Sequence, residues 1–283
     1  MITFDFEYYR PDSADQAVQL WNQLNQTGKK PLYYGGGTEI ISMGRMDNIS
    51  AGAVIDIKGI PDCHRLEIKG DHLIVGAGVT MTQIHESNIF PLLALAGARV
   101  ADHTIQNKIT LGGNLCSTII YREALLPLLL ADADIIIAGP GGQKTLPVNK
   151  VFNQRMQLNP GEFIIQIKVL RPFLSYPHIH VKRTRQDKIT YPLVTICAMQ
   201  VDQQVRVACS GVCDFPFRSE PMEKELNNSS LPLEKRVDNA INATPAAIPD
   251  NFEGSAAYRR FILKNLLTSI VNELGDKDAS IVE

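Results

Sequence analysis

Three consecutive glycines, Gly35 to Gly37, end a short apolar and aromatic run at Pro31 to Tyr34, and no other feature restricts the local fold so tightly. Glycine reaches backbone conformations closed to other residues, so a strand that meets three of them turns sharply. Successive N–H groups in such a turn form a concavity suited to an anion, phosphate above all. Thr38 follows directly and adds a hydroxyl. The same residues would also make a tight loop with nothing bound. Further along, Gly112 and Gly113 are framed by Thr110 and Asn114, whose hydroxyl and amide can each hydrogen-bond a phosphate or ribityl group. Either loop alone is a weak signal, but the two together suit a diphosphate held from both sides.

The rest of the chain supplies the frame for these loops. Ser13 followed by Gln16 reads as a capping box, and Ala14, Ala17, Val18, Trp21 and Leu24 recur at helical spacing until Gly28 ends the helix. Val54 to Ile57 reads as a strand, making residues 1–60 a small αβ unit. Strands are expected at Leu66 to Ile68, Leu73 to Val75, Ile135 to Ala138, Lys144 to Leu146 and Phe163 to Val169, with helices at Thr82 to Glu86, Pro91 to Ala101 and Ala124 to Leu130. Arg171 and Pro172 punctuate the chain, which places a domain boundary near 172. Beyond it, strands at Ile179 to Arg183, Leu193 to Val201 and Val205 to Cys213 precede helices at Leu233 to Ala243 and Ser255 to Leu274. The last helix is expected to bury Phe261, Leu266, Ile270, Val271 and Leu274. The fold class is therefore α+β, with domains at 1–172 (subdomains 1–60 and 61–172) and 173–283.

Several function classes are disfavoured. With 28 basic and 30 acidic side chains the net charge is -2, and no run of one sign suggests nucleic acid or an anionic membrane. The most apolar stretch, Ala124 to Ala138, is broken by Pro127, Asp132 and Asp134 before the roughly 18 uninterrupted residues a membrane span needs. The opening MITFDFEYYRPDS lacks the basic and apolar regions of a signal peptide, so a cytoplasmic location is expected. Five cysteines without dense spacing fit a reducing compartment. Cys209 and Cys213 on one extended strand would lie about 13 Å apart, too far to share a metal ion. Gly76 and Gly78 after a strand hint at a dinucleotide fingerprint, but Met81 stands where a small third residue is needed, and they read as turn glycines. His178 and His180 share a strand face without an evident third ligand. No GxSxG or HExxH occurs, so neither a catalytic nucleophile nor a metal site is expected.

The two glycine loops, here YYGGGTEIIS (Tyr33 to Ser42) and TLGGN (Thr110 to Asn114), resemble the AGGT-like and TIGGN loops of the FAD-binding subunits of molybdenum hydroxylases, the xanthine dehydrogenase and carbon monoxide dehydrogenase type. The resemblance runs over nearly the whole chain, including FEYYRPDSADQAV, Ala124 to Val148, the strand after Pro160 to Glu162, VKRTRQDKITYPLVT and Gly254 to Leu263. It implies a flavin fold of the vanillyl-alcohol oxidase type, with two α/β subdomains clasping FAD and an antiparallel C-terminal domain closing over it. It also implies that Tyr33, Tyr34, Gly35, Gly36, Gly37, Thr38 and Glu39 form the first side of the cofactor cradle. Thr110, Gly112, Gly113 and Asn114 would form the second. Glu123 would contact the ribityl and diphosphate region, Ile164 the adenine side, and Lys182 the cofactor from the C-terminal domain. Two departures stand out. TIIYRE replaces an SPAAD-like segment, so the acid is Glu123 rather than aspartate, and Thr190 and Tyr191 replace an aspartate, with Tyr191 placed near the flavin ring.

The activity this resemblance implies is electron transfer. Electrons from iron–sulfur clusters of a small partner subunit would reach FAD and pass to NAD or another acceptor, while a large partner subunit carries molybdopterin and oxidises xanthine or a related heterocycle. Molybdenum and [2Fe-2S] clusters are expected on the partners only. The sequence leaves two alternatives: a stand-alone FAD-dependent oxidoreductase of the same fold, and a nucleotide-binding assembly module.

Overall fold

A computed structural model of the chain describes residues 2–186 and 190–275. Residues 187–189, inside the Val181 to Thr195 segment, lie outside the described residues. The chain opens with β1 (Glu7–Tyr9), α1 (Ala14–Gln26), β2 (Leu32–Tyr34), α2 (Thr38–Arg45) and β3 (Ala53–Asp56). Next come β4 (Leu66–Lys69), β5 (His72–Gly76), α3 (Met81–Ser87), α4 (Pro91–Gly97), α5 (His103–Gln106), α6 (Leu111–Cys116) and α7 (Leu125–Leu130). They are followed by β6 (Asp134–Gly139), β7 (Gly142–Pro147), α8 (Val148–Val151), β8 (Phe152–Asn153), β9 (Arg155–Met156) and β10 (Phe163–Leu170). The remainder holds β11 (His178–Thr184), β12 (Pro192–Val201), β13 (Gln204–Ser210), β14 (Phe217–Arg218), α9 (Glu220–Leu226), α10 (Leu233–Asn242), α11 (Ala256–Ile270) and a π-helical turn, Val271–Gly275.

The fold is α+β and divides into two compact units that are discontinuous in sequence. One contains residues 1–87, 102–118 and 132–171, and the other contains 88–101, 119–131 and 172–283. A single cut near 172 would have left 88–101 and 119–131 in the first domain, whereas both segments group with the C-terminal residues.

The first unit starts with a parallel sheet of order β1-β3-β2, in which Tyr8 lies opposite Val54 and Tyr33 opposite Ile55. Parallel neighbours need crossover connections, and α1 and α2 provide them. The Ser13 side chain caps α1 by accepting from the Gln16 N–H at 3.2 Å. Gln16 Oε1 reaches back to the Asp12 N–H rather than to Ser13 itself. Ala14, Ala17, Val18 and Leu24 bury the apolar face, and Gly28, at φ 76°, leads the chain away. A second sheet of order β4-β5-β10-β6-β7 is antiparallel throughout, with Leu73, Val75, Ile135, Ile137, Ile167 and Val169 in its core. Its register shifts between Ile164 and Gln166, and the Ile165 carbonyl there accepts from the Ala77 N–H at 2.8 Å.

The second unit is an antiparallel sheet of order β11-β12-β13-β14 with helices. Asp202 and Gln203, both at positive φ, close the β12-β13 hairpin. β12 is buried along almost its whole length, not on alternate positions. Val194, Ile196 and Ala198 join the core built with α9, α10 and α11, while Thr195, pointing the other way, bonds Glu123 in the 119–131 segment. A strand covered on both faces reads as a continuous apolar run.

Three expectations differ from the structure. The helix expected to reach Ala101 ends at Gly97. The sequence does not announce α2, which follows the glycine turn directly. The strand expected to continue to Cys213 ends at Ser210, where Gly211 takes φ 78°, so the 13 Å separation inferred for Cys209 and Cys213 does not apply. Both thiols are buried in the apolar core, and among the described residues no group of three or more His, Cys, Asp or Glu is placed to hold a metal. Finally, Phe261 is 61% exposed, and α11 buries Leu263, Leu266, Leu267 and Ile270 instead. Phe261 and Leu266 are five residues apart, roughly 140° around a helix, so they cannot share one narrow stripe.

Candidate functional site

In the first unit, β2 delivers the chain into the glycine turn. Gly37 takes φ 72° and is the N-cap of α2, with no side chain capping the helix. The first N–H groups of a helix have no partner within it, and they carry its positive end. With Gly37 at the cap, no side chain caps those of α2. The Tyr34 ring covers the turn so closely that a Cβ on Gly37 would lie 2.1 Å from the phenol oxygen.

The second loop sits directly against the first. A Cβ on Gly35 would fall 2.7 Å from Thr110 Oγ1, and one on Gly36 would fall 1.6 Å from the Lys108 carbonyl oxygen. Side chains at these positions would drive the loops apart, which explains why glycine stands there. Thr110 caps α6 by accepting from the Gly113 N–H at 3.2 Å. Gly112 rests on the Gly76 to Gly78 turn, donating its N–H to the Ala77 carbonyl at 2.8 Å. Those two turn glycines have a structural role: a Cβ on Gly76 would lie 2.2 Å from the Cys63 carbonyl oxygen.

Glu39 ties the loops together. One carboxylate oxygen accepts from the Ser117 hydroxyl, and the other accepts from the Thr118 hydroxyl and, at 2.8 Å, from the Thr118 N–H. Asn114 adds the one orphan among these side chains: its Oδ1 is buried and has no hydrogen-bond partner. Tyr33 turns away from the glycines, donating to the Gly161 carbonyl at 2.9 Å and packing on Phe163 with ring centroids 4.4 Å apart. Burial pushes its phenol above the ordinary range. Ile164, 3% exposed, is packed in the same sheet opposite Ile137.

Within the second unit, Glu123 and Lys182 are brought together with each other. Lys182 Nζ donates to Glu123 Oε2 and to the Arg99 carbonyl, both at 2.8 Å, and Thr195 donates to Glu123 Oε1 at 2.8 Å. Both charged side chains are buried, at 3% and 5% exposure. Burial raises the Glu123 carboxyl above its usual range, even though Lys182 and Thr195 favour the ionised form. A reading in which each reaches outward to a ligand has to contend with this mutual pairing. Tyr191 is half exposed and stacks on Tyr121, with centroids 4.9 Å apart and rings 25° from parallel. Residues missed in the sequence include Lys58 and Asp56 beside the glycine turn, and Arg259. Arg259 is 1% exposed and donates to the carbonyls of Leu193 and Gly211 and to Asn251 Oδ1. The end of the central strand β3, where Asp56 is the last residue and Lys58 lies two positions on, was the available hint for both.

Residues 4–171 match the family described as the FAD binding domain in molybdopterin dehydrogenase. The carbon monoxide dehydrogenase medium chain of Hydrogenophaga pseudoflava is 23% identical over 96% of this chain and 98% of its own length. The xanthine dehydrogenase FAD-binding subunit of Escherichia coli O157:H7 is also 23% identical, over 95% and 96%. In solved structures, a chain of the carbon monoxide dehydrogenase of H. pseudoflava that lacks the Mo-pyranopterin moiety superposes with a TM-score of 0.84 at 21% identity, covering 97% of this chain and 98% of the other. That likeness shows the fold. The family match covers more than half of the sequence, so this chain belongs to the FAD-binding domain family of molybdopterin dehydrogenases, and its cofactor is FAD. The residues present fit such a group: an uncapped helix start at Gly37, glycines with no room for side chains, and a buried amide oxygen at Asn114 awaiting a donor.

Proposed function

We propose that this chain is the electron-transfer subunit of a molybdenum hydroxylase complex, with FAD bound at the two glycine loops. The observation that carries the reading is the meeting of the loops in one unit, so close that a Cβ on Gly36 would fall on the Lys108 carbonyl beside Thr110. When bound, FAD supplies a group that accepts electrons singly and releases them as a hydride equivalent. The protein's part is to hold and orient it. The N–H groups at the start of α2 would face the diphosphate, and the Asn114 amide oxygen would accept from a ribityl hydroxyl. Thr110, whose oxygen already accepts from Gly113, retains its proton to donate. Gly35, Gly36, Gly37, Thr38, Gly112 and Gly113 would form the walls of the cradle. Tyr33, Tyr34 and Glu39 would brace it, and Ile164 would lie on the adenine side. In the second unit Tyr191 would lie toward the flavin ring, with Glu123 and Lys182 acting there as a pair.

The partners in this reading are a small subunit with [2Fe-2S] clusters and a large subunit with molybdopterin. Xanthine or a related heterocycle is the proposed substrate of the complex and NAD the proposed acceptor, in a cytoplasmic setting that the free cysteines suit. Among the described residues no helix is long and apolar enough to cross a membrane. Support for the partners comes from relatives named as medium chain and FAD-binding subunit, full-length matches to this chain. Turnover of xanthine or of carbon monoxide by the intact complex decides the substrate, and reduction of NAD decides the acceptor.

The direct test is a titration of the purified chain with FAD. Quenching of flavin fluorescence to one equivalent, with a yellow protein free of molybdenum and iron, is the expected result. A chain that leaves FAD free in solution at every concentration ends the reading.

A further inference from the structure

Lys58 follows β3 and is joined to the glycine turn by contacts that lie wholly within the first unit. Its Nζ donates to the Gly35 carbonyl at 2.8 Å and to Asp56 Oδ1 at 2.8 Å, and lies 4.4 Å from the centroid of the Tyr34 ring. Tyr34 is the residue whose ring presses on Gly37. The ammonium therefore engages both ends of the turn, Gly35 directly and Gly37 through Tyr34. Asp56 anchors the ammonium in its turn. It is 3% exposed, with Oδ2 accepting from the Tyr8 hydroxyl at 2.5 Å and Oδ1 also accepting from the Lys58 N–H at 2.9 Å. Burial alone would raise its carboxyl, but the hydrogen bonds from Lys58 and Tyr8 outweigh this and hold it below the usual range.

The consequence follows from peptide geometry. In a trans peptide the carbonyl and the next N–H point in opposite directions, so fixing the Gly35 oxygen toward Lys58 aims the Gly36 N–H away from it. Glycine has the widest conformational freedom of any residue, and three in a row would sample many arrangements without such a clamp. We propose that Lys58, anchored by Asp56 and Tyr8, is a positioning residue that presets the Gly35 to Gly37 turn for the cofactor diphosphate. The proposal rests on FAD being bound at this loop.

Lys58→Met keeps the aliphatic stem and removes every donor. Loss of a charge-assisted bond at a preorganised loop corresponds to roughly tenfold weaker FAD binding or more. Lys58→Arg, which retains the charge and donors, is expected to recover most of the affinity. In the chain without FAD, amide hydrogen exchange across Gly35 to Thr38 is expected to accelerate in Lys58→Met while the five-stranded sheet of the first unit keeps its protection. A clamp acts through conformation, so the affinity loss should persist at high salt. A loss that disappears in high salt would mean a direct, screened charge contact and would overturn the positioning role. Unchanged affinity and exchange in Lys58→Met overturns the proposal alone, whereas a wild-type chain that binds no FAD overturns the site reading beneath it. Should Lys58→Met fail to fold, Lys58→Gln takes its place, with the same weakening expected and the same affinity as wild type overturning the clamp.

Discussion

His180 lies on β11 two residues from Lys182, with its Nε2 buried and without a hydrogen-bond partner. Burial, reinforced by the positive charges of Arg99 and Lys182, pushes its pKa down from 6.5 to about 4. Between those two values the unfolded chain holds a proton that the folded chain does not. The stability this ring contributes is thus present above pH 6.5 and lost as pH falls toward 4, by about 3 kcal/mol in full. Urea unfolding from pH 7 to 4.5 should therefore weaken more steeply in wild type than in His180→Phe, and parallel pH dependences would show that the ring titrates normally. The neighbouring Glu123 acts in the opposite sense, because its raised carboxyl favours the folded state at lower pH. Comparing the two chains isolates the histidine. The resemblance directs Glu123 and Lys182 each toward a cofactor, yet nothing in the sequence shows that they pair with each other.

The glycine loops, α1 and α11 show what an element's own sequence can announce. Ser13, Gln16 and Gly28 marked both ends of α1, because capping and left-handed termination are settled within a turn of the chain. α2 carries no such marker, since its cap is a glycine with no side-chain signal. Apolar character alone does not bury Phe261, because helix periodicity turns it outward. For the loops the prediction is specific. Gly36→Ala introduces a methyl group 1.6 Å from the Lys108 carbonyl oxygen, so the two loops must separate. The expected result is a stability loss of about 1–3 kcal/mol in thermal or urea unfolding, together with weaker FAD binding. A variant matching wild type in both would mean that the loops are not held in this contact.

Across the whole molecule, segments 88–101 and 119–131 are drawn into the C-terminal unit. α7 packs on β12 and supplies apolar cover on the side away from α9, α10 and α11, which explains a strand buried along almost its whole length. A tagged chain recovered from its native cells is expected to bring a molybdenum-containing large subunit and a small iron–sulfur subunit in fixed ratio, detected by metal analysis. Dithionite-free reduction of the flavin by the substrate of the large subunit should follow. Recovery of a lone flavoprotein that turns over a substrate unaided would favour the stand-alone alternative.

By itself the sequence determined the α+β class, most strands, the capped first helix and two glycine turns, because each depends on residues within a few positions of one another. Only the tertiary structure decided which carbonyl meets which glycine, that Lys182 pairs with Glu123 from 59 positions away, and that Lys58 reaches back 23 positions to Gly35. Sequence separation carries no distance, so side chains brought together by sheet register and helix packing declare their partners only after the chain has folded.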